Sequence, residues 1–280
     1  MKKKYFNIII VAIFIIGLSL LLYPTIANQW NTYRQSKLIS TYDDKVSELE
    51  AAGKIDYEKE WKRAKDYNDA LVPMILPDSF AIADAQEEVD TAYESCLNIT
   101  GDGIMGTVEI PKIDVKIPIY HTTAEDVLKN AAGHLEGSSL PVGGENTHSV
   151  ISAHRGLPSA TLFTDLDKLK KGDHFMIHVL DDVLCYEVDK INVVEPEDTS
   201  DLNVEDGEDL MTLLTCTPYG VNTERLLVRG HRVPYEEEYK EETQSSISLE
   251  TNYILWVIVG LLVTGILIGV MYVRERRKKR

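Results

Sequence analysis

Residues 212–233 read TLLTCTPYGVNTERLLVRGHRV. An apolar run stops on Cys216, polar and turn-forming residues follow, and Arg225 opens a second apolar run. If the two runs are adjacent antiparallel strands, the loop Thr217 to Glu224 returns the chain so that thiol and guanidinium flank one mouth. Such a pair suits acyl transfer, the thiol as nucleophile and the cation as partner of the developing oxyanion. Arg229 competes for the second role, but at about 3.3 Å per residue it lies roughly 13 Å further down its strand. The thiol also needs an acid or base within hydrogen-bond reach, and the chain holds seven histidines. His154 ends the run SVISAH and precedes the turn RGLP, so it occupies a strand end as Cys216 does. Loops gather at such ends. His121, His134 and His148 lie in loops or at a strand start, His174 and His178 in a hairpin, and His231 beside Arg229. Position favours His154 without singling it out.

The compartment decides what the other cysteines mean. The stretch MKKKYFNIIIVAIFIIGLSLLLYP sets three lysines before an apolar run from Tyr5 to about Tyr23, the pattern of a signal peptide or signal anchor. Tyr253 to Val273 carry no charge and are followed by RERRKKR, which predicts a second span with a cytoplasmic tail. Everything between is then exported. Three cysteines is an odd number there, so at least one thiol is unpaired within the chain. Cys96 and Cys185 read as packing residues, since a free cysteine behaves as a small hydrophobe. The chain has 45 acidic against 29 basic residues and a net charge of −16, which argues against nucleic-acid binding.

The elements that would position these groups follow from periodicity. From Asn31 to Leu71 apolar residues recur at three and four, predicting two polar amphipathic helices. LVPMILPDSFAIADA breaks the pattern with two prolines, and AQEEVDTAYESCL resumes a short helix. From Met105 the chain alternates: GTVEIPKIDVKIPIY and THSVISAH predict strands, and HFMIHVLDDVLCYEVDKINVVEP a hairpin around Asp181 and Asp182. EDVLKNAAGHL predicts a short helix, and LFTDLDKLKKGD a helix or turn. Seven or eight short strands with few helices predict a closed or half-closed barrel.

TLLTCTPYGVNTERLLVRGHR resembles the active-site stretch of sortases, and in detail that of the class C, pilin-polymerising branch; THSVISAHRGLPSATLFTDLDKLKKGD resembles the histidine stretch of that branch. GTVEIPKIDVKIPIYH and GHLEGSSLPVGGENTHSV are similar to it as well, so the resemblance runs from about Leu76 to Tyr235. A histidine 62 residues before the cysteine (154 to 216) and an arginine nine after it (216 to 225) make it specific. It implies a mainly β fold: a closed sortase-type barrel of about eight strands with short helices, an N-terminal helical segment and terminal transmembrane helices. It also implies a cysteine transpeptidase in the plasma membrane of a Gram-positive bacterium, its catalytic domain extracellular. In that reading Cys216 attacks the threonine carbonyl of an LPxTG-like sorting signal. His154 protonates the departing glycine amine, and Arg225 holds the substrate and its oxyanion. The acyl group then passes to a lysine of a pilin subunit, without cofactor or metal. His121 would be structural.

Class C sortases often carry a lid whose tip reads Asp-Pro-aromatic. Here LPDSF keeps Asp78 and Phe80 but has Ser79 for the proline. The resemblance implies that Asp78 pairs with Arg225 and that Phe80 rests over the Cys216 sulfur; the proline-broken stretch is too irregular for a helix face, so Leu71, Met74, Ile75, Leu76 and Phe80 read as exposed apolar residues that cover something. As an exposed pair this closure is shallow, about 0 to 1 kcal/mol, with about 0.3 to 1.5 kcal/mol from the aromatic–sulfur contact. The competing reading is a linker packed on the barrel wall. The expected organisation is a signal or anchor helix at 1–27, a helical segment at 28–100 with the lid at 72–84, a catalytic barrel at 101–236, a linker at 237–252, a membrane helix at 253–273 and a basic tail at 274–280. Two other activities share the nucleophile: a housekeeping-type sortase that anchors proteins to the cell wall, and a membrane-anchored cysteine hydrolase. A hydrolase would use backbone amides for the oxyanion and an Asn or Asp to orient the histidine, and no such third residue stands out.

Overall fold

Val108 and Ile110 of β1 (Ile104–Ile110) and Val115, Ile117 and Ile119 of β2 (Val115–Tyr120) sit at alternate positions and belong to one buried cluster. The face they share is the inside of a closed barrel. The computed structural model describes residues 2–71, 76–80 and 90–236, together with 239 and 265. Six further strands complete the barrel: β3 (Ala132–His134), β4 (Thr147–Ser152), β5 (His174–Val179), β6 (Asp182–Val194), β7 (Asp209–Thr217) and β8 (Glu224–Val233). Around it the order is β1-β2-β3-β4-β7-β8-β6-β5, with β5 returning to β1. The β2–β3 and β4–β7 pairs are parallel and the others antiparallel. The eight-strand closed barrel matches the expected architecture. The expected C-terminal span at 253–273 lies outside the described residues, apart from residue 265.

In three strands both faces are covered, which is why they read as unbroken apolar runs. Ile151, Leu213 and Val228 point into the barrel, while Val150, Leu214 and Leu227 join a second cluster with Leu76, Leu135 and Leu202. The second cluster lies on the outer face of the β4–β7–β8 sheet.

The helices lie outside the barrel. The apolar N-terminal run and the first amphipathic segment form one helix, α1 (Lys2–Ala51), with Pro24 inside it. Proline removes one backbone donor, but no glycine or second proline follows before Gly53 to turn that break into an end. Position 27 is therefore not an element boundary. α1 is long and apolar enough to cross a membrane. It stops at Gly53, whose φ of +62° favours glycine. There the Gly53 and Lys54 amides donate to the Glu50 and Leu49 carbonyls. α2 (Tyr57–Ala70) starts on Asp56, which accepts from the Lys59 amide at 3.1 Å. Its Trp61 indole donates to Asp181 at 2.7 Å, and Asn68 brackets both backbone groups of Leu140, fastening the helix to the barrel. Two further α-helices, α3 (Thr91–Ser95) and α4 (Glu125–Leu128), are short.

Candidate active site

β7 and β8 pair so that Cys216 stands directly opposite Arg225, while Arg229 faces Thr212, four residues further down the ladder. Side chains alternate, so Cys216 shares the outer face with Leu214, and Arg225 shares it with Leu227. β4 runs parallel to β7, with Ser152 level with Leu214. The ladder continues one step further, the Ala153 amide donating to the Leu214 carbonyl at 3.2 Å. His154 therefore comes level with Cys216, on the neighbouring strand's exit. Thr215 locks that exit by donating its hydroxyl to the Ala153 carbonyl at 2.7 Å. The three residues singled out from the sequence thus meet at the end of one outward-facing stripe, in the order imidazole, thiol, guanidinium.

The segment 76–80 covers the stripe. Asp78 accepts from Arg225 Nε at 2.7 Å and from Nη2 at 2.6 Å, so the guanidinium fork is fully engaged. The Phe80 ring lies 5.2 Å from the His154 ring and 5.3 Å from the Arg225 guanidinium carbon. The ring thus stands against the two groups that flank the thiol. Two expectations about this segment are corrected. The ion pair is covered, with Arg225 and Asp78 side chains 10% and 11% exposed. Leu76 is buried in the outer cluster and is not an exposed apolar residue. The remainder of the stretch expected at 72–84, including Met74 and Ile75, lies outside the described residues.

Ser79 is fully buried and receives a hydrogen bond from the Ser152 hydroxyl at 2.8 Å. A proline could not accept that bond through its side chain, so the departure from Asp-Pro-aromatic is matched by Ser152 on the β4 stripe. Sequence reading missed this pair, and it missed Arg155. The Arg155 side chain is nearly buried; it donates to Thr217 Oγ1 at 3.1 Å and pairs with Asp167. It thereby joins the residue after His154 to the residue after Cys216. Its adjacency to His154 was the one available signal.

The charges follow from burial. Desolvation pushes the Cys216 thiol above its ordinary value; the Arg225 charge draws it down and the Asp78 carboxylate pushes it up again. Desolvation likewise pulls the His154 imidazole below its ordinary value, with Glu125 raising it and Lys129 lowering it. Both shifts favour the uncharged forms, a neutral thiol beside a neutral imidazole. Of the remaining histidines, His121 contacts the Gly103 and Cys96 carbonyls through its two ring nitrogens, and His148 contacts the Asn203 carbonyl and Thr212 hydroxyl. Cys96, at the end of α3, and Cys185, in β6, are buried free thiols.

The sortase domain family matches residues 108–233. A stretch of 131 residues is 33% identical to sortase D of Bacillus subtilis (strain 168); it covers 46% of this chain and 63% of that protein, so the chain spans somewhat under two thirds of that relative. Among solved structures, a sortase C of Streptococcus pneumoniae, described for its catalysis and pilin substrate specificity, is 48% identical. It superposes with a TM-score of 0.65 over 71% of this chain and 97% of its own. Sortase C-1 from Actinomyces oris is 46% identical, with a TM-score of 0.61 over 64% of this chain and 98% of its own.

Proposed function

Because the chain belongs to the sortase family, we propose that it is a membrane-anchored cysteine transpeptidase of the pilin-polymerising kind. The observation that carries this reading is the register that sets Cys216 opposite Arg225 with His154 on the adjoining strand exit. The likeness to two sortase C structures at 46–48% identity supports the pilin branch over cell-wall anchoring.

The substrate is an LPxTG-like sorting signal, bound along the outer stripe once segment 76–80 has left it. Cys216 passes its proton to His154, and its sulfur attacks the threonine carbonyl carbon. The carbonyl oxygen takes the negative charge, and the Arg225 fork released by Asp78 donates to it. The intermediate collapses by breaking the threonine–glycine bond, and His154 returns the proton to the leaving amine. A pilin lysine amine then attacks the thioester. Its proton goes through His154 to the cysteine sulfur, leaving an isopeptide bond and a free thiol. α1 anchors the chain, and the barrel lies on the extracellular side.

The test is to mix the full chain in detergent with a sorting-signal peptide, with and without an amine acceptor. A peptide adduct on Cys216, consumed by the amine to give an amide, is expected. Cys216→Ala should form neither, whereas Cys96→Ala and Cys185→Ala should form both. Release of free acid only, at the same rate with and without amine, would make the protein a hydrolase.

A further inference from the structure

Asn28 of α1 accepts two hydrogen bonds from Thr161, one from its amide at 2.8 Å and one from its hydroxyl at 2.7 Å. Thr161 belongs to the connection that leaves β4 at His154, and the Phe163 amide in that connection donates back to the His154 carbonyl at 3.1 Å. The same connection meets the β7–β8 loop. Gly156 has φ +78°, and a Cβ there would come within 3.3 Å of the Tyr219 ring, so the two loops pack closely. The rim carrying imidazole and thiol is therefore tied to α1 at Asn28. The apolar run of α1 ends near Tyr23, five residues earlier, and at 1.5 Å per residue that is roughly 7.5 Å along the axis. The mouth of the site sits at the end of the barrel nearest the apolar run of α1.

The composition of the rim fits that height. Residues 156–164 (GLPSATLFT) and 217–223 (TPYGVNT) contain no charged residue, in a chain with 26% charged residues. Tyr219 and Val221 are 59% and 64% exposed at the tip of the second loop, and Trp30 and Tyr33 are exposed on α1 nearby in sequence. Tyrosine and tryptophan suit the headgroup layer, apolar at one end and polar at the other. A chain of net charge −16 gains nothing by approaching anionic lipid through its field; two uncharged loop segments, flanked on the rim by the Arg155–Asp167 pair, can still approach neutral headgroups.

We propose that the two uncharged loops rest on the lipid headgroup surface, so that the site opens at the bilayer plane and takes a peptide just as it leaves the membrane. The inference rests on α1 as the membrane anchor. It is tested with the full chain in phosphatidylcholine vesicles, carrying photoreactive benzoylphenylalanine at one of three positions. Val221 reports the rim and Ile16 the anchor. Val204, equally apolar and 52% exposed, lies before β7 at the opposite end of the barrel. Lipid adducts at Val221 should exceed those at Val204 by about tenfold or more, as expected of an interfacial site. Seven residues inserted between Ala27 and Asn28 add about two helical turns, or ~10 Å, and should reduce adducts at Val221 to the Val204 level while leaving Ile16 labelled. Labelling at Ile16 with Val221 no higher than Val204 would overturn the docking and leave the anchor standing. So would adducts at Val221 to added sorting peptide in place of lipid, or Val221 labelling unchanged by the insertion. No lipid adduct at Ile16 would overturn the anchor and the docking together.

Discussion

At the residue scale, the two arginines of β8 separate by what they face. Arg225 stands across from the thiol with its fork on Asp78, and Arg229 has its own carboxylates, Asp189 at 2.6 Å and Glu205 at 2.5 Å. Arg225→Lys keeps the charge and loses the planar fork, so transpeptidation should fall by about tenfold to a thousandfold. Arg229→Lys should leave turnover within about threefold and show its effect mainly in the free energy of unfolding, by about 1 kcal/mol. Steady-state rates on one peptide, beside urea unfolding, check both. Equal losses of rate at the two positions would contradict the separation of roles. The neutral state of the Cys216–His154 pair belongs to this scale too: the Asp78 charge is among the groups raising the thiol. Removing Asp78 therefore uncovers the sulfur and also favours its thiolate.

At the scale of elements, segment 76–80 is held by more than the ion pair and the Phe80 contact anticipated from the sequence. Burial of Leu76 adds about 1.5 to 3 kcal/mol, and the Ser152–Ser79 bond adds about 0.5 to 1.5 kcal/mol. Asp78→Ala combined with Phe80→Ala should speed labelling of Cys216 by a thiol reagent by about fivefold to thirtyfold. Adding Leu76→Ala should bring roughly another tenfold, and the labelling midpoint should move to lower pH once Asp78 is gone. Labelling kinetics unchanged in the double variant would leave the segment as a wall-packed linker. The β7–β8 hairpin was legible in the sequence because alternation fixes which residues share a face, and the loop fixes which ones oppose each other. The covering segment was legible only through the family resemblance, which gave the Asp78–Arg225 pair. Asp78 and Arg225 are 147 residues apart, and nothing in the irregular, proline-broken stretch shows that Leu76 goes under it. The Ser79–Ser152 and Arg155–Thr217 contacts were hidden for the same reason, since hydroxyl pairs leave no periodic trace. The continuity of α1 was obscured by Pro24, which reads as a boundary and is accommodated inside the helix.

At the scale of the whole molecule, one buried histidine ties stability to pH. His134 contacts Tyr93 Oη at 2.9 Å through Nδ1 and the Ser139 carbonyl at 2.8 Å through Nε2, and Tyr93 Oη accepts the Thr122 amide at 3.0 Å. That arrangement fits a neutral ring with its proton on Nε2. Burial lowers the His134 pKa from 6.5 to about 4. A depressed folded value means stability that is complete above about pH 6.5 and lost as pH falls through about 4. The loss is on the order of 3 kcal/mol, and His134→Gln should flatten that slope in urea titrations run across the window. The topology has a consequence in time as well. His154 leaves β4, but the parallel neighbour that brings the thiol level with it is β7, and the cation waits for β8. Between them the chain must complete β5 and β6, and β5 must close back on β1. Such distant pairings form slowly. A chain emerging from its N-terminus therefore has no assembled imidazole–thiol–guanidinium set until its last two strands have joined the sheet, and the catalytic arrangement appears together with the barrel that governs it.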